Sequence, residues 1–249
     1  MFDRCSKHQV YFVQMGRLYE RLCEDLRCLE GLKSCMNCGV CTAICPSAEF
    51  YHYDPRIICD TVQCADDELL EQLLRSDTIW YCGECMSCKT RCPRGNTPGL
   101  VIMALRKLSQ EMGYFTDSEK GRQQFAIRRV IGDSILTTGY CMRPILVNPQ
   151  DHPEQGPVWE WVYNNLVEVM DKVGASYMKD GPGVLRRIDP GVLAEINKIF
   201  KVTGGQDFLQ VIENFSIEKA NEMNLDAGEH GGDNAYFSEV YTKNSGNHH

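Results

Sequence analysis

One spacing of cysteines occurs twice in the chain, in CMNCGVCTAICP (residues 35–46) and in CGECMSCKTRCP (residues 82–93). Both segments follow the pattern C-x2-C-x2-C-x3-C-P, which is typical of loops that bind 4Fe-4S clusters. The two-residue spacers allow three thiolates of one loop to reach three irons of one cubane. The sequence therefore predicts two 4Fe-4S clusters held by eight cysteines.

The last cysteine of each motif precedes a proline and lies beyond a longer spacer. In two-cluster ferredoxins with this spacing, that cysteine ligates the cluster of the other loop. We therefore expect crossed ligation. The first cluster would be held by Cys35, Cys38, Cys41 and Cys92, and the second by Cys82, Cys85, Cys88 and Cys45.

Zinc is the main alternative, because paired C-x2-C units also bind zinc through thiolates. A zinc site needs two such pairs, whereas each loop here offers three evenly spaced cysteines and a fourth before proline. The iron-sulfur interpretation is therefore favoured over zinc, and no third cluster is expected. The roles of the six other cysteines stay open, with small buried or incidental thiols as the expectation: Cys5, Cys23, Cys28, Cys59, Cys64 and Cys141.

Composition and charge restrict the partners and the compartment. The chain has 249 residues and a formal charge of -8, so a nucleic-acid partner, which would require a basic face, is not expected. The best apolar run, residues 100–105, is too short to cross a bilayer, so we expect no direct membrane span. The N-terminus lacks a secretory signal, and thiols that bind metal suit a reducing compartment. We therefore expect a cytoplasmic protein.

Helical signals surround both loops. Apolar residues recur at helical spacing over residues 9–30, and Gly31 is expected to end that helix. Residues 54–55 and 97–98 each combine an N-cap residue with a proline in the first turn, and residues 67–75 fit another short helix. The first half is therefore predicted to be all α, as an internal repeat of cysteine loop, proline and helix.

The second half has helical patterns but no motif that carries chemistry. The patterns cover residues 118–131, 158–173, 190–202 and 206–215. From residue 221 the composition becomes polar and glycine-rich, which predicts a flexible tail. The expected organisation is an N-terminal helix over 1–31, a cluster-binding domain over 32–115, a helical extension over 116–220 and a polar tail over 221–249.

No residue is assigned a catalytic role. The sequence contains no G-x-G-x-x-G motif after a strand and no phosphate-binding loop, so a bound flavin or nicotinamide is not expected. Near the second loop, Lys89, Arg91 and Arg94 stand out against the acidic background. They either favour the reduced cluster and steer an acidic partner, or offset the charge of the cluster.

The two motifs, with residues 54–56, 76–82 and 96–98, resemble the C subunit of heterodisulfide reductase over about residues 25–115. The resemblance implies an α-helical ferredoxin fold. It also implies an electron-transfer subunit that passes electrons through two 4Fe-4S clusters. The implied partners are a flavin-bearing A subunit and a cysteine-rich B subunit that handles the disulfide or another sulfur compound.

The extension after residue 115 is longer than in the compact methanogen subunits. Because related complexes of sulfur-oxidising bacteria contain similar C subunits, the resemblance implies a role in cytoplasmic sulfur oxidation, with the extension docking neighbouring subunits. The alternatives are a free ferredoxin shuttle, the iron-sulfur subunit of a glycerol-3-phosphate or succinate dehydrogenase, and a structural or redox-sensing protein. A free shuttle has little use for so long an extension.

Overall fold

The computed structural model describes residues 17–241. Its secondary structure over this range is helical, without strands, which confirms the predicted all-α fold class. No helix in the described range combines the length and the apolar character that a transmembrane segment requires. The chain divides into two units, with the division between Arg122 and Gln123.

The first unit contains the two cysteine motifs and nine of the helices in the described range. The helices are α1 (Arg17–Cys23), α2 (Leu26–Gly31), α3 (Val40–Ala43), α4 (Ser47–Phe50), α5 (Pro55–Gln63), α6 (Asp67–Leu74), α7 (Ser87–Arg91), α8 (Pro98–Glu111) and α9 (Glu119–Arg122). Helices α3 and α7 begin inside the first and second motifs. Helices α5 and α8 begin at the two prolines that were predicted as helix starts.

The helix predicted over residues 9–30 differs in the structure. Residues 9–16 lie outside the described residues, and the remainder is divided into α1 and α2. The division occurs because Asp25 takes up extended backbone geometry as the N-cap of α2, where its carboxylate accepts a hydrogen bond from the Arg27 amide at 2.9 Å. An aspartate that caps a new helix competes with continuation of the old one.

The core of the first unit is built around α8. Val101, Ile102 and Leu105 of this helix are completely buried. Helix α2 packs closely on its N-terminal end, where a Cβ atom on Gly31 would lie 2.9 Å from Val101 Cγ2 and 3.0 Å from the Thr97 carbonyl oxygen. Gly31 is therefore required for close packing of α2 on α8, because no larger residue fits this approach.

The second unit contains the remaining α-helices of the described range. They are α10 (Gln124–Ile127), α11 (Asp133–Thr138), α12 (Gly156–Asn164), α13 (Leu166–Lys172), α14 (Pro190–Val202), α15 (Gly205–Glu222) and α16 (Ala235–Tyr241), with one π-helical turn at Arg128–Gly132 between α10 and α11. The patterns predicted over 118–131 and 158–173 each contain more than one short helix. The pattern over 206–215 belongs to a helix that continues to Glu222.

Residues 235–241 form α16, although they were predicted as part of a flexible polar tail. Tyr236, Phe237 and Val240 of this helix are buried in an apolar cluster with Phe125 and Ala220. The prediction was wrong here because the apolar residues are helically spaced over too short a run to outweigh the polar composition around them. The part of the predicted tail over 242–249 lies outside the described residues.

A buried arginine fixes the loop that leads to α16. The side chain of Arg129 is 1% exposed and forms an ion pair with Glu213 of α15. Its guanidinium also donates to the carbonyl oxygens of Ala227 at 2.6 Å and Gly228 at 3.0 Å. These hydrogen bonds satisfy the buried charge and hold the glycine-rich loop in place.

Candidate iron-sulfur centre

The two cysteine motifs share left-handed backbone geometry at equivalent positions. In the first loop, Asn37 and Gly39 have φ angles of 58° and 78°; in the second, the equivalent Glu84 and Met86 have φ angles of 52° and 58°. Three of these four residues carry side chains, which disfavour the left-handed region. The shared geometry wraps each loop around its own cysteines. The repeat seen in the sequence is therefore also a repeat in three dimensions.

Helix α5 holds the first loop. The side chain of Gln63 accepts a hydrogen bond from the Cys35 amide at 2.7 Å. At the other end of α5, Arg56 donates to the side-chain oxygen of Asn37 at 2.7 Å, and the Asp54 carboxylate accepts from the Arg56 amide at 2.9 Å. Helix α5 thus positions the start of the first motif.

A residue that follows the second motif also supports the first loop. Asn96 is 3% exposed, and its side-chain oxygen accepts from the Lys33 amide at 2.9 Å. Its side-chain nitrogen donates to the Ser34 carbonyl oxygen at 3.0 Å. Both polar ends of the Asn96 side chain are therefore hydrogen-bonded. Asn96 links the segment just before the first motif to the segment just after the second.

Arg106 of α8 holds the second loop. Its Nε donates to the Ile79 carbonyl oxygen at 2.7 Å, and one terminal nitrogen donates to the Cys82 carbonyl oxygen at 2.6 Å. The other terminal nitrogen pairs with the Glu84 carboxylate at 2.6 Å. The planar fork of a guanidinium suits such a set of three acceptors.

Backbone and side-chain groups of the loops also reach the cysteine sulfurs. The Asn37 amide donates to Cys35 Sγ at 3.4 Å. In the second loop, the Cys85 sulfur lies 3.4 Å from Ser87 Oγ, and hydrogen bonds with the Ser87 side chain and backbone lower the pKa of the Cys85 thiol. Such contacts stabilise the thiolate form, which is the form that binds metal.

One cavity brings together cysteines of both motifs. Its wall contains the four cysteines predicted to hold the first cluster, namely Cys35, Cys38, Cys41 and Cys92. Among the described residues that line it, Cys92 comes from the second motif and Cys45 is not included. Burial raises the pKa of the Cys41 thiol.

Tyr53 lies near two of the cysteines predicted for the second cluster. Burial raises the pKa of this tyrosine, and the neighbouring thiols of Cys82 and Cys45 raise it further. Burial also raises the pKa of Cys88, with smaller contributions from Cys82 and Cys85. Cys45, the last cysteine of the first motif, and Cys82, the first of the second, both pack against the buried cluster that contains Tyr53.

The residues present fit two 4Fe-4S clusters. The donor sets consist of cysteine sulfurs, which are the ligands that such clusters require. Within the described part of the chain, no three His, Cys, Asp or Glu side chains converge closely enough to bind one single metal ion. Cys38 and Cys85 are both exposed, so each loop presents one of its cysteines to solvent.

The structure adds Cys59 to the surroundings of the first loop. This residue of α5 is 1% exposed and lines the same cavity as Cys35 and Cys92. Burial raises the pKa of its thiol well above the ordinary value. The sequence interpretation expected Cys59 to be a small buried or incidental thiol and assigned it no place beside the first loop; it is buried, and it lies there. Its position four residues after Pro55, in the helix that follows the first loop, was the signal that could have placed it.

The supporting residues Asn96 and Arg106 were also not identified from the sequence as parts of the site. The signal for Asn96 is the internal repeat, since it precedes Thr97-Pro98 as Tyr53 precedes Asp54-Pro55. No comparable signal marks Arg106, because its three acceptors lie more than twenty residues earlier in the chain.

Comparison with known families agrees with this geometry. Residues 31–96 match the family model of a 4Fe-4S dicluster domain. This match covers both cysteine motifs and Asn96. The cofactors are therefore 4Fe-4S clusters, and a dicluster domain accommodates two of them.

Several curated proteins are similar to the chain. The C subunit of the ferredoxin:CoB-CoM heterodisulfide reductase of Methanosarcina acetivorans is 43% identical over 146 residues, which are 59% of this chain and 55% of that protein. The iron-sulfur C subunit of the CoB--CoM heterodisulfide reductase of Methanopyrus kandleri is 30% identical over 118 residues, 47% of this chain and 59% of that protein. A protein of Archaeoglobus profundus, described as similar to the C subunit of heterodisulfide reductase, is 37% identical over 98 residues, 38% of this chain and 50% of that protein.

The chain spans between half and three fifths of the length of these three relatives. The similarity to the Methanosarcina protein covers 146 residues, so it is longer than the stretch 25–115 on which the resemblance was based. The two matching cysteine loops, the dicluster domain and these relatives together identify the chain as a 4Fe-4S dicluster protein that resembles the C subunits of heterodisulfide reductases.

Proposed function

We propose that the chain is an electron-transfer subunit of a heterodisulfide-reductase-like complex. The observation that carries this proposal is the pair of cysteine loops with matching backbone geometry within a dicluster domain. A bound 4Fe-4S cluster takes up and releases single electrons, and two of them in one domain form a relay. The polypeptide holds the relay and presents it to partners.

We propose crossed ligation for the two clusters. Cys35, Cys38, Cys41 and Cys92 would hold the first, and Cys82, Cys85, Cys88 and Cys45 the second. The presence of Cys92 in the wall of the cavity formed by the first loop supports the first set. The packing of Cys45 and Cys82 against the same buried cluster, which contains Tyr53, supports the second. Crossing would lock the two loops into one folding unit.

The proposed partners are a flavin-bearing A-type subunit and a cysteine-rich B-type subunit that handles a disulfide. The relatives from Methanosarcina and Methanopyrus are named as C subunits of CoB-CoM heterodisulfide reductases, which supports a disulfide as the substrate of the complex. We propose the cytoplasm as the location, because cysteines that bind metal suit a reducing compartment. No comparison supports the expected link to sulfur oxidation.

The surface charge near the second loop suits docking of an acidic electron-transfer partner. Lys89, Arg91 and Arg94 are all exposed and lie within or just after α7. They concentrate positive charge beside Cys92 on a chain of net charge -8. Opposite charges across an interface steer association and fix orientation.

The test begins with the full-length protein purified without oxygen. It should contain about eight irons and eight acid-labile sulfides, as two four-iron clusters require. Stoichiometric zinc without sulfide would contradict the proposal at its first step. A tagged full-length chain should then co-purify from its native cells with a flavoprotein and a second cysteine-rich protein in fixed ratio.

Electron transfer within that complex distinguishes the proposed function from its alternatives. Reduction of the flavoprotein should lead to reduction of both clusters and then to cleavage of a disulfide substrate. A chain that purifies without partners and exchanges electrons with several unrelated enzymes would instead be a free ferredoxin.

A further inference from the structure

Tyr53 carries a buried hydroxyl group next to the second cysteine loop. The residue is 4% exposed, and its hydroxyl has no well-formed hydrogen bond within the described part of the chain. A buried hydroxyl without a partner costs about 1 to 3 kcal/mol, so native proteins rarely leave one unpaired. The Tyr53 hydroxyl is therefore left for an acceptor other than the nitrogens and oxygens of the described residues.

The surroundings of Tyr53 indicate where the acceptor lies. Its ring makes an edge contact with the ring of Tyr81, with 6.5 Å between the centroids. Tyr81 stacks on Tyr51 at 4.4 Å and directly precedes Cys82. Cys82 and Cys45 also pack against the buried core cluster that contains Tyr53. The hydroxyl is thus buried in the region that contains two of the cysteines proposed to bind the second cluster.

The internal repeat strengthens this interpretation. Tyr53 precedes the start of α5 as Asn96 precedes the start of α8, and both residues are buried. Asn96 uses both of its polar ends on the backbone just before the first motif. Tyr53 lies against the start of the second motif, but its hydroxyl group makes no such hydrogen bond to the backbone.

We propose that the Tyr53 hydroxyl donates a hydrogen bond to a cysteine sulfur of the second cluster, with Cys82 as the preferred acceptor. A donor to such a sulfur stabilises the more negative, reduced state and raises the reduction potential. Tyr53 is thus a positioning residue that makes the reduction potentials of the two clusters different. This inference rests on the proposed ligation and deepens the proposed function.

The test compares full-length wild type with Tyr53→Phe, which keeps the ring and removes the hydroxyl. Both proteins are loaded with clusters and titrated with reductant while the reduced clusters are followed by electron paramagnetic resonance. Tyr53→Phe should retain its iron and shift one of the two midpoint potentials to a more negative value, with the other unchanged. The control Tyr236→Phe, in the buried core of the second unit, should leave both potentials unchanged.

A second measurement detects the proton itself. The reduced wild-type protein should show a proton coupling to one cluster that exchanges in D2O and is absent in Tyr53→Phe. Unchanged potentials and an unchanged proton coupling in an iron-replete Tyr53→Phe protein would overturn the inference. Loss of four irons on this substitution would also overturn it, because the hydroxyl would then be needed for assembly. The proposed function fails separately, if wild type itself holds no clusters or lacks the proposed partners.

Discussion

The side-chain amide of Asn96 binds the backbone of Ser34 across 62 residues of sequence, with its nitrogen 3.0 Å from the Ser34 carbonyl oxygen. The same side chain accepts hydrogen bonds from the Ser34 and Lys33 amides. One buried residue after the second motif therefore fixes the approach to the first. Cluster binding at the two loops is expected to be coupled through this contact.

Asn96→Ala should lower the free energy of unfolding by about 1 to 3 kcal/mol, because it leaves buried backbone groups near Ser34 without partners. We also expect faster loss of iron from the cluster held by the first loop. Denaturant unfolding and timed iron release to a chelator measure the two effects. The exposed Asn214→Ala serves as the control and should change neither.

Arg106→Lys should make the second loop less stable although it keeps the positive charge. Lysine cannot reproduce the three-acceptor fork that binds Ile79, Cys82 and Glu84. We expect a loss of about 1 to 3 kcal/mol in stability and selective loss of one cluster. The neighbouring, half-exposed Lys107→Ala is the matched control. An equal effect of both substitutions would argue against a specific role of Arg106.

If ligation is crossed, substitution of the last cysteine of one motif should damage the cluster held by the other loop. Cys92→Ser should damage the cluster held by the first loop, and Cys45→Ser the cluster held by the second, because each cysteine would lie in the other loop's ligand set. Magnetic or Mössbauer spectroscopy that separates the two clusters measures the outcome. Damage of each loop's own cluster would show that the ligation is not crossed.

Gly31→Ala should destabilise the first unit, although alanine is the better helix former. The added Cβ atom would lie 3.0 Å from the Thr97 carbonyl oxygen and 2.9 Å from Val101 Cγ2, so α2 must move away from α8. Overpacking of this kind costs about 1 to 3 kcal/mol. Thermal or denaturant unfolding should show the loss, whereas Glu30→Ala, exposed on the same helix, should be neutral or slightly stabilising.

A chain that ends after Arg122 should still assemble both clusters. All eight proposed ligands and the supporting residues Gln63, Asn96 and Arg106 lie before this point, at the division between the units. Binding to the flavin-bearing and cysteine-rich subunits should become weaker, because the second unit contains most of the extension that is expected to dock neighbouring subunits. An iron count and a pull-down with the partner proteins test the two expectations. An undiminished complex would place the docking surface in the first unit.

The sequence by itself determined the cofactor and the fold class. The spacing of cysteines within each motif is local, and the chain geometry of two-residue spacers restricts what eight such thiols can hold. The starts of α5 and α8 were also local, because Asp54-Pro55 and Thr97-Pro98 provide capping and proline signals within two residues. The all-α class followed from helical periodicity between these signals.

The tertiary structure decided what depends on residues distant in sequence. The break before α2 arises where Asp25 caps a new helix, and α16 is stable because Tyr236 and Phe237 enter a core with Phe125, over one hundred residues earlier. Asn96 and Arg106 meet their loops only in the folded chain. No local pattern encodes these contacts, since burial and hydrogen bonding across such separations are properties of packing.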